Sequence, residues 1–389
     1  MPKKSEKRIN NIGRRVIAAW LVGIILFSVL IGMGIILNSE PLRDEESAAQ
    51  KRIFCKARVT EVLHDSAEAD TWSEGRRLGS QLLLLEIISG EHKGKVFQGE
   101  NYLSAYSNVD CKPGTRVIVR LDYNDNGDLY VSSIPNYDRG IVMAVFILVF
   151  AVLLVAVGGK KGAAALLGLV YTLACLWFLL VPMILKGVQP VLASVIVVVL
   201  TTAASLILLS GLNRKTFCAV LGCVSGVVTA GVFAAIVSGI TPINGFNMSE
   251  AEELVLRSSE TGLHISGLLV SGILIASLGA VMDVAMSISS SCNELRELNP
   301  GLDSRTLFRS GMNIGRDAMG TMANTLILAF AGSSLNMLIL FKVFNYPLIQ
   351  IINSDAMVIE IIQGVAGSIG IILTVPLVAF ISSRLLIKK

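Results

Sequence analysis

Residues 141–181 read IVMAVFILVFAVLLVAV, then GGKKG, then AAALLGLVYTLACLWFLLV. Each apolar run, 141–157 and 163–181, approaches the roughly 20 residues that a helix needs to cross about 30 Å of hydrocarbon. The break between them lacks the Walker spacing and the following Ser or Thr of a phosphate-binding loop. The stretch therefore predicts two membrane-spanning helices joined by a short basic cytoplasmic turn.

The composition extends this prediction to the whole chain. Of 389 residues, 53% are hydrophobic and 16% are charged, and the mean hydropathy is +0.68. These values exclude a disordered chain and an ordinary soluble enzyme. The net charge of +4 does not indicate a nucleic-acid partner, because most basic residues flank apolar runs. The lipid bilayer is the expected environment.

Six further apolar runs bring the expected number of spanning helices to eight. They cover residues 16–37, 190–210, 216–240, 265–289, 312–340 and 357–383. The first run precedes the sequence NSEP, a poor cleavage site, so it predicts an uncleaved anchor helix. The expected fold class is an α-helical integral membrane protein with about eight transmembrane helices.

The basic residues indicate the orientation of these helices. With the amino terminus inside, the cytoplasmic segments carry 17 lysines and arginines, and the short outer loops carry 3. The inner set is Lys3, Lys4, Lys7, Arg8, Arg14, Arg15, Lys160, Lys161, Arg214, Lys215, Arg296, Arg305, Arg309, Arg316, Arg384, Lys388 and Lys389. The outer set is Lys186, Arg257 and Lys342. By the positive-inside rule, this predicts a multi-pass membrane protein with both termini cytoplasmic.

A hydrophilic region between the first two spans predicts an extracytoplasmic β domain at residues 38–139. Its strand candidates are residues 54–63, 81–88, 95–99, 116–123 and 129–134. The sequence NDNG at 124–127 is a strong hairpin signal, because Asn and Gly tolerate positive φ. Five short strands predict a small barrel of the OB or SH3-like type. The expected organisation is an anchor region at 1–37, this β domain, and a seven-helix membrane domain at 140–389.

Two cysteines, Cys55 and Cys111, lie in the predicted outer domain. An oxidising compartment would allow a disulfide between them, and two buried free thiols are the alternative that the sequence leaves open. No P-loop, His-Glu-x-x-His, Gly-x-Ser-x-Gly or Cys-x-x-Cys motif occurs. We therefore predict no enzymatic activity, no metal site and no cofactor.

Polar side chains form one stripe on each of the sixth and seventh spans. The first stripe is Asp283, Ser287 and Ser290, and the second is Asn313, Asp317, Thr321 and Asn324. Each set has a spacing that places its members on one helix face. Both aspartates fall about five or six residues from the cytoplasmic end of their span, hence at similar depth. Because polar groups in hydrocarbon need partners, the two stripes are predicted to face each other.

These stripes, with Arg316, are the candidate ion or substrate pathway. A carboxylate that is buried yet reachable from one side can carry a proton or Na⁺. The alternative is structural, with the two aspartates only holding neighbouring helices together. Arg316 is expected to anchor at the inner interface, and Glu360 and Gln363 to be interfacial at the outer end of the last span.

Glycine and proline positions predict how these helices pack and end. Two pairs of glycines at four-residue spacing are expected to allow close helix packing. They are Gly222 with Gly226, and Gly311 with Gly315. Pro300 is expected to end the sixth helix, and Asp303 or Ser304 to cap a short amphipathic helix at the inner membrane face. An ordinary solvated linker helix is the alternative.

Three segments carry a family resemblance. They are LGAVMDVAMSISSS at 278–291, NELR at 293–296 and SGMNIGRDAMGTMANTLILAFAG at 310–332. These segments resemble the YibE/F family of bacterial multispanning membrane proteins, which implies a bacterial plasma membrane. The resemblance extends over the whole chain and implies an anchor helix, an outer domain and seven further helices, with no catalytic residue assigned. More distantly, the Gly-x-x-x-Asp pattern ending at Asp283 resembles the RND and SecD/SecF superfamily, whose intramembrane carboxylates use an ion gradient. Two extra helices, a small outer domain and the lack of a second repeat depart from that superfamily.

The sequence favours an ion-gradient-driven transporter or exporter of unknown substrate, because it holds intramembrane carboxylates and no nucleotide motif. The alternative is a non-transporting scaffold or sensor whose outer domain binds a partner. A transporter depends on Asp283 and Asp317, whereas a scaffold depends on the surface of its outer domain. The expected partners are protons or Na⁺, and a second copy of the chain or a partner membrane subunit.

Overall fold

The computed structural model describes residues 27–38, 53–123, 128–249 and 251–387. The chain forms two compact units that divide between Leu153 and Leu154, and the helix at 27–38 belongs to the second. The first part of the predicted anchor and the predicted hairpin at 124–127 lie outside the described residues. The domain boundaries expected from the sequence stay predictions.

The first unit contains one antiparallel sheet. Its strands are β1 (Ile53–Asp65), β2 (Glu68–Ala69), β3 (Arg77–Ile87), β4 (Val96–Leu103), β5 (Arg116–Tyr123) and β6 (Leu129–Tyr137). Their order is β2-β3-β1-β5-β6, and β4 also pairs with β3. A Cβ atom on Gly99 of β4 would lie 2.8 Å from the Val131 side chain of β6, so the sheet curls into a half-barrel. All five strand candidates are present with a short sixth strand, and the OB or SH3-like type stays a prediction.

Alternating apolar residues form the core of this sheet. In β3, Leu83, Leu85 and Ile87 are fully buried, and the residues between them are half-buried. Successive side chains of a strand point to opposite faces, so these three share one face. Ala57 of β1 pairs with Ile87 on one side and with Val117 of β5 on the other. Three neighbouring strands thus bury their apolar side chains together.

A polar network ties the loop before β5 to the sheet. Arg77 donates to Asp65 at 2.6 Å and to Asp110 at 2.9 Å. The buried Gln81 donates to Asp65 at 3.0 Å and accepts from the backbone N–H of Cys111 at 3.0 Å. Hydrogen bonds from Arg77 and then Gln81 lower the pKa of Asp65 to about 2. The network keeps this carboxylate ionised and fixes the loop.

The two cysteines of the sheet unit, Cys55 and Cys111, are buried free thiols. Cys55 pairs with Val119 across β1 and β5, and the Cys111 thiol donates to the carbonyl of Val109 at 3.3 Å. Burial raises the pKa of both thiols, that of Cys111 to about 12. Their oxidation to a disulfide stays a prediction.

The remaining elements are helices. They are α1 (Phe27–Asn38), α2 (Gly140–Leu185), α3 (Pro190–Ser210), α4 (Arg214–Ile240), α5 (Ala251–Thr261), α6 (Leu268–Leu298), α7 (Ser304–Ser333), α8 (Leu335–Val343), α9 (Leu348–Asn353) and α10 (Asp355–Leu385). Among the described residues, α2, α3, α4, α6 and α10 are long and apolar enough to cross a membrane. The pair α7 and α8, bent by 56°, gives a sixth span if taken together. The expected count of eight stays a prediction.

Helix α2 consists of two helices that meet at a kink. Gly159 has φ 54° and ψ −133°, a conformation that glycine adopts without steric cost. A Cβ atom on Gly162 would overlap the carbonyl oxygen of Leu154. In a straight helix, residues eight apart are separated by about 12 Å, so the chain turns sharply here. The kink falls within the GGKKG sequence that predicts a turn between two spans.

Helix α1 packs on the second part of α2. Leu30 is buried there. Residues Leu176–Leu180 form a π-helical turn, and Pro182 follows it without an N–H to donate to the preceding turn. The Asn38 side chain of α1 donates to the carbonyl of Phe178 in that turn, at 3.4 Å. The described part of the anchor helix is therefore bonded to the helical unit.

Glycines bring α4, α6, α7 and α10 together. The four glycines singled out in the sequence all lie against α10. They are Gly222, Gly226, Gly311 and Gly315. A Cβ atom on Gly226 would overlap the Thr374 hydroxyl of α10, and one on Gly315 would overlap Val375 of α10. The predicted role of these glycines in close packing is confirmed.

The connector between α6 and α7 begins and ends as its sequence predicts. Helix α6 ends at Leu298, two residues before Pro300. Asp303 caps α7 by accepting from the backbone N–H groups of Arg305 at 3.1 Å and Thr306 at 3.4 Å. Helix α7 then runs unbroken to Ser333. The separate amphipathic helix was a wrong prediction, because no residue after the cap interrupts the helix.

Candidate functional site

The polar stripe of α6 lies on a face that the bundle leaves open. Asp283 and Ser287 are exposed, whereas Val284 and Ile288 are buried. Within the described residues, Asp283 forms no hydrogen bond and no ion pair. A carboxylate therefore stands unpartnered within a helix long and apolar enough to cross a membrane.

The cytoplasmic end of the stripe, as oriented by the sequence, packs against α3 and α4. Lys215 Nζ at the start of α4 donates to Ser290 Oγ at 3.5 Å. Ser289 Oγ donates to the carbonyl of Lys215 at 2.6 Å. Ser210, the last residue of α3, donates to the Met286 sulfur at 3.8 Å. These bonds fix the rotation of α6 and direct its polar stripe away from α7.

The sequence did not predict Cys223 as a neighbour of Asp283, or Thr202 as a neighbour of Cys223. Cys223 of α4 and Thr202 of α3 are in hydrogen-bond contact, with Sγ and Oγ1 3.8 Å apart. The Asp283 carboxylate lies within electrostatic range of the Cys223 thiol. Lys215 was also missed as a contact. The one sequence signal for this contact is that Lys215 and Ser290 are both predicted to lie near the cytoplasmic ends of their spans.

Small residues continue the open face of α6 toward its other end. Gly272, Ala276 and Gly279 are exposed together with Asp283 and Ser287. A Cβ atom placed on either glycine would have no atom within 4 Å. At 3.6 residues per turn, the five positions fall within a sector of about 80°. They form an open lane, defined here as these five residues, along one side of α6.

The polar stripe of α7 is also exposed. The exposed residues are Asn313, Arg316, Asp317, Thr321 and Asn324. The packed side of the helix is marked by the buried residues Leu307, Gly311 and Gly315. Among the described residues, neither Arg316 nor Asp317 has a hydrogen bond or an ion pair. The bundle leaves this face open as well.

The two stripes do not face each other, so that prediction was wrong. Helix α6 meets α7 through Ile288, which lies 2.8 Å from the position of a Cβ atom on Gly315. On a regular helix, Asp283 is about 140° around α6 from Ile288, and Asp317 about 200° around α7 from Gly315. The contact forms on the glycine side of α7, because only residues without side chains allow α10 and α6 to approach.

The prediction of similar depth for the two aspartates agrees with the same contact. Ile288 lies opposite Gly315. Asp283 precedes Ile288 by five residues in α6, and Asp317 follows Gly315 by two residues in α7. Because the two helices run in opposite directions, both aspartates lie on the same side of this contact along the bundle axis. The difference of three residues corresponds to about 4.5 Å. The two aspartates lie at similar heights along the bundle and on different surfaces of it.

Glu360 is another acidic residue of the helical unit, and it belongs to α10 and to neither stripe. It is half-buried in the second turn of α10, and its Oε2 atom is buried without a hydrogen-bond partner in the described chain. A Cβ atom on Gly364, one turn further on, would lie 3.7 Å from Phe330 of α7. The half-buried Gln363 precedes that glycine. Both polar residues belong to the first turns of α10.

Fold and site together define the class of protein. Apolar helices able to cross a membrane, packed through glycines, with unpartnered charges on two open faces, form a multispanning α-helical membrane protein. Residues 146–388 match the YibE/F-like protein family. Since the match covers more than half of the chain, the protein belongs to this family, as its sequence motifs indicated. No curated protein and no solved structure matches the chain.

Proposed function

We propose that this protein is an ion-gradient-driven transporter or exporter in which Asp283 carries a proton or Na⁺. One observation carries the proposal: Asp283 lies in an apolar helix, on an open face, without a partner among the described residues. A charged residue costs about 2.5–3.5 kcal/mol at the centre of a membrane helix and less toward the interface. An unpaired carboxylate at this position does not stabilise the fold, which supports a functional role.

The open lane supports a route for an ion to Asp283. Gly272, Ala276 and Gly279 add no bulky side chain to that face, so they leave space along α6 on the side of Asp283. Ser287 and Ser290 continue the polar surface past Asp283 to the half-buried Lys215. Binding of a proton or Na⁺ would neutralise the carboxylate and remove most of the cost of moving this face against hydrocarbon.

The gradient is the energy source that the sequence supports. The chain carries no nucleotide-binding motif. Moving one elementary charge across a membrane potential of 100 mV yields about 2.3 kcal/mol. A single carboxylate that binds and releases one cation can therefore couple the gradient to a conformational change.

The proposal includes a topology of eight spans with both termini in the cytoplasm. The apolar helices α2, α3, α4, α6 and α10 supply five spans, and α7 with α8 a sixth. The kink at Gly159 supports counting α2 as two, and α1 is the described part of the anchor. Residues 38–139 would then lie outside a bacterial plasma membrane, in accord with the basic residues.

The test uses the full-length protein in liposomes loaded with a pH-sensitive dye. Imposed pH and ²²Na⁺ gradients are applied to the wild type, Asp283→Asn and Asp283→Glu. Glu294→Gln is the matched control, because Glu294 is exposed on the same face of α6, about 20° around and about 16 Å further along the helix. We expect wild type and control to move one of the two ions, and Asp283→Asn to do so at least tenfold more slowly. Its thermal unfolding should be unchanged.

Labelling by a hydrophobic carbodiimide adds an independent measurement. The reagent modifies protonated carboxyl groups in apolar surroundings, so it should label Asp283 in wild-type membranes and fail in Asp283→Asn. Protection by Na⁺ would identify Na⁺ as the ion. Wild-type ion flux in Asp283→Asn, or a loss of activity only in proportion to lost thermal stability, would refute the carrier role. Loss of function only in variants of the sheet surface would support the scaffold alternative.

A further inference from the structure

The open face of α7 combines charges and amides in an order that suits one particular partner. The side of α7 opposite the buried Gly311 has three residues near its middle, Asn313, Gly320 and Asn324. They lie within about 40° of each other around the helix. Arg316 lies about 60° to one side of Asn313, and Asp317 about 40° to the other side. The face thus has a polar centre with one positive and one negative flank.

This face cannot be left against lipid without cost. Asn313, Arg316, Asp317 and Asn324 are all exposed, and the neighbours of α7 pack on its other side. Backbone and side-chain polar groups in hydrocarbon must find partners, and Asn324 lies about 12 Å further along the helix than Arg316. An arginine near the interface can reach water with its long side chain, but the short Asn324 side chain cannot.

We propose that a second copy of the chain covers this face, with α7 packed in parallel against the partner's α7 about a two-fold axis along the membrane normal. In a parallel helix pair, each flank of one helix faces the opposite flank of the other. Arg316 then meets the partner's Asp317, and Asp317 meets the partner's Arg316. The two residues differ in height by only about 1.5 Å, so both ion pairs form at one level.

The centre of the face is complementary to itself as well. An asparagine side chain both donates and accepts, so Asn313 and Asn324 can each bond to the same residue of the partner across the axis. Asparagine side chains bond across helices in membranes in this way. A Cβ atom on Gly320 would have nothing within 4 Å, which leaves room for the two backbones to approach. A symmetric contact needs such self-complementarity.

The proposal does not depend on transport. The open lane of α6 and the open face of α7 point away from their common contact at Ile288 and Gly315. A failure of Asp283 to carry ions would leave the α7 contact in place, and a monomeric protein would leave the role of Asp283 in place. The two proposals therefore fail separately.

The test is cysteine crosslinking in native membranes, where the protein is intact. Gly320→Cys and Asn324→Cys each place a thiol at the expected axis, and all six native cysteines are buried. Val232→Cys is the matched control: Val232 is 51% exposed on α4. Val232 and Gly320 lie at similar heights along the bundle. Gly226, six residues before Val232, lies beside Thr374 of α10, and Gly315, five residues before Gly320, lies beside the adjacent Val375. Oxidation should join the α7 variants into dimers of twice the mass, while the control and the wild type stay uncrosslinked.

Charge reversal separates a specific interface from chance collision. Arg316→Asp alone and Asp317→Arg alone should each reduce dimer yield at least fivefold, and the double reversal should restore it. The thermal unfolding of the monomer reports whether each variant folds. A wild type that is monomeric by single-molecule photobleaching in membranes would overturn the proposal. So would α7 crosslinks only to a protein of different mass, or a double reversal that fails to restore the dimer.

Discussion

The sheet unit and the helical unit deal with charge in opposite ways. In the sheet unit, Arg77 bridges Asp65 and Asp110 at 2.6 and 2.9 Å, and the carboxylates are satisfied within the unit. In the helical unit, Asp283 of the apolar helix α6 and Asp317 of α7 have no partner among the described residues. Water could solvate the charges of the sheet, yet those are the charges that are paired.

The charged groups of the sheet network stabilise the fold, whereas Asp283 and Asp317 have no such structural role among the described residues. The polar network of the sheet fixes one loop and needs no ligand. The helices α4, α6, α7 and α10 pack through glycine contacts instead, and Asp283 and Asp317 take no part in that packing. Asp283 and Asp317 are therefore the charges on which the proposed ion binding and the proposed dimer depend.

The largest effect should come from breaking the glycine contacts of the helical unit. Gly226→Leu places a side chain where the Thr374 hydroxyl of α10 lies, so we expect overpacking to cost about 3 kcal/mol or more. The yield of monodisperse protein on size exclusion and its thermal unfolding measure this. Gly239→Leu is the control, since that exposed glycine of α4 has nothing within 4 Å of a Cβ position. Equal behaviour of the two variants would show that glycines do not hold the bundle.

A smaller effect is expected from opening the network of the sheet. Arg77→Met leaves Asp65 and Asp110 without their cation, and we expect a local cost of about 1–2 kcal/mol, reduced from a fully buried case by solvent screening. Hydrogen exchange of residues 104–112 in the full chain should accelerate roughly tenfold. Arg58→Met, at an exposed arginine of β1, should leave it unchanged. An unchanged loop in Arg77→Met would remove the claim that the sheet pairs its charges for stability.

The pH dependence of the same network sharpens the comparison. The pKa of Asp65 is about 2 in the folded chain, below its ordinary value of 3.8. The stabilisation is therefore present above about pH 4 and is lost as the pH falls through about 2. Pepsin cleavage within residues 104–112 should stay slow at pH 3.5 and rise toward pH 2 in the wild type. In Asp65→Asn it should be fast throughout, and a wild-type loop equally labile at pH 3.5 and pH 2 would contradict the pairing.

The smallest expected effect is on the chemical reactivity of two cysteines, with no change in the stability of the fold. Because Cys55 and Cys111 are buried and their pKa values are raised, a water-soluble alkylating agent should not modify them in the folded protein. After denaturation without reductant, both should react. If they stay unmodified until a reductant is added, the two thiols form a disulfide in the cell.

Much of the helix architecture could be read from local sequence signals. The sequence GGKKG marks the kink at Gly159, Pro300 follows the end of α6, and Asp303 caps α7. Each signal works over a few residues, through φ preference, a missing N–H or a side chain that accepts backbone hydrogen bonds. The strand candidates of the sheet followed in the same way from alternation.

The rotation of α6 and α7 could not be read from polarity alone. The spacing of Asp283 with Ser287 shows that they share a face, but it does not show what that face meets. The deciding contact involves Gly315, whose lack of a side chain selects the packed side of α7. Either the polar side or the glycine side of α7 could have faced α6. The structure uses the glycine side, because it lets the helices pack closely. The glycine signal was present in the sequence, and its consequence for the opposite face was overlooked.

The bond from Asn38 to the carbonyl of Phe178 has a consequence for how this protein can be rebuilt. The acceptor belongs to the π-helical turn that precedes Pro182, where the helix itself supplies one donor fewer. A generic hydrophobic anchor has no amide at that height and would leave the carbonyl unsatisfied. The described part of the first helix is therefore not interchangeable with an arbitrary apolar segment. Chimeras that exchange it need to carry the amide with them.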